Sequence, residues 1–132
     1  MPRFSSTSKR RIATCHEDLQ SVLRTVIRTF DFSVLSGHRG EDEQNALYTQ
    51  GRTEPGSIVT NVQWPDSKHN TSPSIAVDIA PYPIDWDDLT RFHELAGRML
   101  QTADLFDVTL EWGGHWSRFK DYPHYQLINP SE

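Results

Sequence analysis

The stretch SIAVDIA, residues 74–80, decides the fold. Read as a strand, it sets Ala76, Asp78 and Ala80 on one face and Ile75, Val77 and Ile79 on the other. Pro81 and Pro83 end it. Asp78 therefore lies among core residues. A carboxylate there must be neutralised, because burying an unpaired charge is costly. An ion pair with an arginine meets that need, and so does a metal ion.

Upstream, Phe32–Ser36 reads as a second strand ending in the turn Gly37-His38-Arg39-Gly40. Glu41–Gln50 reads as a short helix stopped by Gly51. Cys15–Phe30 carries Leu19, Val22, Leu23, Val26, Ile27 and Phe30 at the spacing of an amphipathic helix. Thr14 is its expected cap, with Glu17 completing a capping box. Arg52–Pro73 is rich in Gly, Pro, Ser, Thr, Asn and Asp and is expected to be a long irregular segment. Loops of that length tend to carry function.

Downstream, a helix runs from Asp85 or Trp86 to Asp104, with Leu89, Phe92, Leu95, Ala96, Met99, Leu100 and Ala103 at core spacing. Val108–Trp112 reads as a strand followed by a Gly113-Gly114 turn, and His124–Ile128 as the last strand. The pattern predicts an α+β fold, with helices packed on a small, largely antiparallel sheet.

The chain has 132 residues, enough for one domain with one real core. It is 36% hydrophobic, with a mean hydropathy of -0.63. No segment is apolar enough to span a bilayer, so no membrane insertion is expected. A formal net charge of -5 argues against nucleic acid as the main partner. Lys9, Arg10 and Arg11 read as a solvated start to a helix. The single cysteine, Cys15, excludes an internal disulfide and reads as a partly buried apolar residue. Met1–Thr14 lacks the apolar core of a secretory signal, so the chain is expected to begin in the cytoplasm.

Three segments carry chemistry: Ser67-Lys68-His69 with Ala76-Val77-Asp78, then Asp121-Tyr122-Pro123-His124, then Ser36-Gly37-His38-Arg39 with Gln44 following. A catalytic zinc takes three ligands from His, Asp and Glu and keeps one position open. His69, Asp78 and His124 make such a set. Asp121 lies three residues before His124, with Pro123 stiffening the turn between them, and would stand beside the metal as general base. There is no HExxH motif.

At this point SKHNTSPSIAVDI (67–79) and EWGGHWSRFKDYPHYQL (111–127) resemble the M15 metallopeptidases. Within them the chain is similar to the phage endolysin branch, the L-alanyl-D-glutamate peptidases, which are related to D-alanyl-D-alanine carboxypeptidases. The resemblance runs from about Ser36 to the C-terminus. It implies the hedgehog/D,D-peptidase-like zinc peptidase fold and one catalytic Zn2+ held by His69, Asp78 and His124. It further implies Asp121 as catalytic base, and Arg39 facing the substrate to stabilise charge at the scissile carbonyl. The stretch from His69 to Asp78 is two residues longer than the family's commonest spacing and lacks its glycine. His115 stands where the family often has an acidic residue, and His38 where it more usually has an aromatic one.

The resemblance makes residues 1–132 a single catalytic domain without a separate wall-binding domain. The expected partner is the peptide stem of peptidoglycan, and a monomer is expected. Gln44, Tyr82, Trp112, His115 and Trp116 are the candidate substrate contacts; support of the Arg39 loop is the other reading of Gln44, core packing that of Trp112 and Trp116, and a surface position that of His115. The implied reaction is hydrolysis of the L-alanyl-D-glutamate bond. Removal of a terminal D-alanine is the runner-up, and a non-catalytic peptidoglycan-binding module is the alternative of another class. The implied location is the host cytoplasm, with access to the wall after a separate membrane-permeabilising protein acts.

Overall fold

The computed structural model describes residues 2–130, so the outer bounds of the expected 1–132 domain lie outside the described residues. Four strands, β1 (Phe32–Ser36), β2 (Ala76–Pro81), β3 (Leu110–Trp112) and β4 (His124–Leu127), form one sheet in the order β1-β2-β4-β3. Every pairing is antiparallel. Among the described residues, four α-helices accompany it: α1 (Ser6–Ile12), α2 (Glu17–Val26), α3 (Glu41–Thr49) and α4 (Leu89–Leu105). The architecture is the expected α+β arrangement.

The faces of β2 divide as the alternation predicts. Val77 and Ile79 enter the main apolar cluster with Leu19, Val22 and Leu23 of α2 and Leu95 and Met99 of α4. These side chains are at or near zero exposure. Burying each aliphatic one contributes about 1.5–3 kcal/mol before conformational entropy is counted. Ala76 and Ala80, on the opposite face, are also buried. Asp78 sits between them, beside Ser36 of β1 and His124 of β4 in the register.

Two local expectations change. Thr14 does not cap a helix; its hydroxyl donates to the Arg11 carbonyl and accepts from the His38 amide. The cap of α2 is His16, whose Nδ1 accepts from the Asp18 amide at 3.0 Å. The run expected from Cys15 to Phe30 therefore begins two residues later and ends at Val26. The basic cluster belongs to α1, a separate helix capped by the Ser5 hydroxyl. Cys15 is buried, not partly so, and burial pushes its thiol up to about 12.

The segment after α3 is irregular and exposed over residues 51–59, as expected, until the short 3-10 turn Lys68–Asn70. Arg52 gathers part of it, donating to the carbonyls of Tyr48 and Thr60 and to the Asn61 side chain. Among the described residues, no helix is long and apolar enough to cross a membrane.

Candidate metal centre

Strand geometry brings two of the three expected ligands together directly. Asp78 and His124 are cross-strand partners, and Asp78 Oδ1 lies 3.1 Å from His124 Nδ1. His69 arrives from the 3-10 turn, and its Nε2 lies 3.2 Å from the same oxygen. The three donor atoms all fall within 4.8 Å of one another. Ligands at 2.0–2.1 Å from a tetrahedral ion stand about 3.3–3.4 Å apart. The two separations from Asp78 are close to that edge length, so the three groups could hold one metal ion.

The turn bearing His69 is clamped from several sides. Ser67 Oγ accepts from the His69 amide, and Asn70 Oδ1 accepts from the Ser67 amide at 3.0 Å. The Asn70 amide group donates to the Arg39 carbonyl and to Gln44 Oε1, while the Arg39 amide donates to the His69 carbonyl at 2.8 Å. His69 Nδ1 donates to the Gly37 carbonyl at 2.7 Å. That bond fixes the proton on Nδ1 and leaves the Nε2 lone pair toward Asp78.

Arg39 is 7% exposed. Its Nη2 donates to Asp78 Oδ2 at 2.8 Å and its Nε to Ser36 Oγ at 2.9 Å. The two ways of neutralising Asp78 thus coexist, one on each carboxylate oxygen. Arg39, expected to face the substrate, directs its Nη2 to the second oxygen of the candidate ligand.

Asp121 stays outside the three-donor group. Its amide donates to the Gly113 carbonyl at 3.0 Å, and its own carbonyl accepts from the His124 amide at 3.1 Å. Burial, then the negative charge of Asp78, raise its carboxyl above the usual range, against the pull of His124, His69 and Arg39. A carboxylate held upward beside the donors, yet not among them, suits proton transfer.

A Cβ on Gly113 would meet the Asp121 carbonyl oxygen. Gly113→Ala is expected to cost about 1–3 kcal/mol, as overpacking does. Thermal unfolding should show the loss, while the metal affinity set by the other strands stays near wild type.

The expected substrate contacts separate into different places. Trp116 packs tilted across His124, with ring centres 5.3 Å apart, and so walls the centre. His115 is exposed, edge-on to Trp112 at 4.8 Å. Trp112 itself is core, not a wall: it is 1% exposed, stacks on Tyr125 and donates its indole N–H to the Tyr122 carbonyl. Gln44 is likewise sealed at 0% exposure, with its amide group donating to the Val62 carbonyl at 2.7 Å. It ties the long loop to the His69 turn and has no surface for a substrate. Tyr82 is exposed but follows the end of β2, four residues past Asp78, about 13 Å along an extended chain.

Behind His124 lies a pair that the sequence reading missed. His124 Nε2 lies 2.8 Å from Gln126 Oε1, and Gln126 Nε2 donates to Glu111 Oε2 at 2.8 Å. The available signal was Gln126 two residues beyond His124, on the same face of a strand.

In the metal-free protein, burial lowers the His124 pKa, but the hydrogen bond and charge of Asp78 outweigh it and hold it above 6.5. This stabilisation is fully present below the unfolded imidazole value and is lost as pH rises through the folded one. Asp78 moves the other way. Burial opposes its ionisation, yet bonds from His124 and His69 drive its pKa well below 3.8, so its contribution is lost on acidification. Urea midpoints in chelator should therefore peak between the carboxylate and imidazole ranges and fall on the alkaline side. Added metal, which binds neutral imidazole, should remove the alkaline decline.

Comparison with known proteins places these features in context. A family profile described as phage L-alanyl-D-glutamate peptidase matches residues 1–128. The peptidoglycan L-alanyl-D-glutamate endopeptidase CwlK of Bacillus subtilis (strain 168) is 38% identical over 109 residues, covering 74% of this chain. The match spans 61% of CwlK's own length. The L-alanyl-D-glutamate peptidase of Escherichia phage T5 is 30% identical over 128 residues, 91% of this chain and 85% of that one. The crystal structure of the Serratia marcescens L-Ala D-Glu endopeptidase ChiX superposes with a TM-score of 0.77 at 28% identity, covering 96% of this chain and 90% of that one.

Proposed function

The chain belongs to the phage L-alanyl-D-glutamate peptidase family, and from that premise we propose that it is a zinc-dependent endopeptidase cutting the L-alanyl-D-glutamate amide bond of peptidoglycan stems. The observation that carries this reading is the meeting of His69 Nε2, Asp78 Oδ1 and His124 Nδ1, with Asp121 nearby and uncommitted to them. Two imidazoles and one carboxylate suit zinc, and a set of three leaves room for the reaction.

Zinc, when bound, would supply Lewis acidity at the scissile carbonyl and a water nucleophile near neutral pH. Asp121 takes the proton from the attacking water on a carboxylate oxygen and returns it to the departing amide nitrogen. Its raised pKa narrows the gap between accepting and releasing that proton. Arg39 holds Asp78 in register through Oδ2 and lends positive charge near the developing oxyanion. Trp116 restricts water over His124, and exposed His115 is positioned to meet the stem.

The described chain acts as one catalytic domain, working as a monomer. As a phage-type endolysin it reaches the wall of a lysing host after a separate protein opens the membrane. Purified, zinc-loaded protein incubated with peptidoglycan sacculi tests the reaction. Mass spectrometry should find stem fragments with a new D-glutamate amino terminus. Release of free D-alanine alone would mark the carboxypeptidase reaction, and intact sacculi would remove the peptidase reading.

A further inference from the structure

The peptide group joining Gly37 to His38 is engaged at both ends. Its carbonyl accepts from His69 Nδ1 at 2.7 Å, and its N–H donates to Thr14 Oγ1 at 2.9 Å. A peptide group is planar and rigid, so holding one end aims the other. The Thr14 hydroxyl in turn donates to the Arg11 carbonyl in the last turn of α1, at 2.6 Å. Three hydrogen bonds thus run head to tail from a candidate ligand to α1, and each polarises the next. A carbonyl only accepts, so the link to the ring holds whether or not Nε2 also carries a proton. It sets where the ring stands, not its charge.

Two further observations single out Thr14, which lies between α1 and α2. A Cβ on Gly37 would run into the Thr14 hydroxyl and the Arg11 carbonyl, so the peptide reaches Thr14 only because residue 37 is glycine. On its own carbonyl, Thr14 accepts from the Ser74 amide at 2.9 Å, and the His16 amide donates to the Ser74 carbonyl at 2.8 Å. Ser74 lies two residues before β2, the strand that carries Asp78. One residue therefore ties down the peptide behind His69 by its side chain and the approach to Asp78 by its backbone. We propose that Thr14 is a positioning residue of the metal centre, its hydroxyl placing the His69 ring through the Gly37–His38 peptide and so setting the zinc affinity. This role presupposes the metal reading of the site. The competing role is purely structural, a hydroxyl that closes the end of α1 and adds only stability.

Two measurements separate these roles: zinc affinity by chelator competition, and exchange of the His38 amide proton in metal-free protein. Thr14→Val keeps the shape of the side chain and lacks the hydroxyl. It should leave the His38 amide unprotected and weaken zinc about tenfold, the low end for losing a partner behind a ligand. Thr14→Ser keeps the hydroxyl and should restore both the protection and an affinity within about threefold of wild type. Val22→Ala, in the buried face of α2, takes no part in these bonds. It should lose stability and keep its zinc affinity.

Circular dichroism of each metal-free variant reports the fold. Thr14 is exposed, so substitution there leaves no cavity, and Thr14→Ala carries the test if Thr14→Val does not fold. A folded Thr14→Val that binds zinc as wild type does, or a Thr14→Ser as weak as Thr14→Val, overturns the proposal. So does a Val22→Ala weakened as much as Thr14→Val, which would mark the loss as one of stability. Failure of wild type itself to bind zinc would remove the metal reading and this role with it, a result distinct from tight wild-type binding that the variants leave unchanged.

Discussion

Asp121→Asn is expected to lower kcat on stem peptides by between about a hundred- and ten-thousand-fold, the range for removing a positioned general base. Asparagine keeps the size of the side chain and leaves the backbone bonds to Gly113 and His124 available. What disappears is the site for the water's proton. Because Asp121 is not among the three donors, zinc affinity should stay near wild type. KM should change little, since the loss falls on the transition state and not on uniform binding. The acid limb of the wild-type pH profile should lie above the ordinary carboxylate range, following the raised Asp121 pKa, and should vanish in the variant's residual activity. Equal activity in wild type and variant would remove Asp121 from the mechanism.

Asp78→Ala should do more damage to the protein itself. It removes a candidate ligand, and it strands Arg39, whose side chain is 8% exposed against 13% for Asp78. Breaking a buried ion pair from one side typically costs about 3–5 kcal/mol, because the remaining charge has no partner. Ser36 Oγ is a neutral acceptor and cannot replace a carboxylate. Urea unfolding in chelator should show a loss of that size, and calorimetry should show no zinc binding. Combining Asp78→Ala with Arg39→Met should recover most of the stability and none of the metal binding. A single variant as stable as wild type would mean that Arg39 does not depend on Asp78.

The legible and illegible parts of this molecule differ for physical reasons. Alternation around Asp78 gave β2 and its buried carboxylate, because a strand with both faces covered leaves a polar residue conspicuous. The choice between arginine and metal stayed open because the residue list does not count oxygens. A carboxylate has two, and the fold assigns one to Arg39 and the other to the histidines. That Lys9, Arg10 and Arg11 belong to a separate helix α1 was not legible because STSKRRI offers one buried apolar residue, Ile12, and no period; its anchor is the Ser8 hydroxyl, which accepts from the Val34 amide at 3.0 Å. Between cleft and core for Trp112, and between substrate contact and loop support for Gln44, the residues alone left the choice open, because burial is decided by partners remote in sequence, Tyr125 across the sheet and Val62 in the loop. The direction of the Glu111–Gln126–His124 chain likewise depends on pairing β3 with β4.

The strand order places β4 between β2 and β3, not at an edge. A ribosome still short of residue 124 has made a polypeptide with a split sheet and an incomplete donor set. His124 therefore does two jobs at once: removing residues 124–127 would part β2 from β3 and take one of the three donors away.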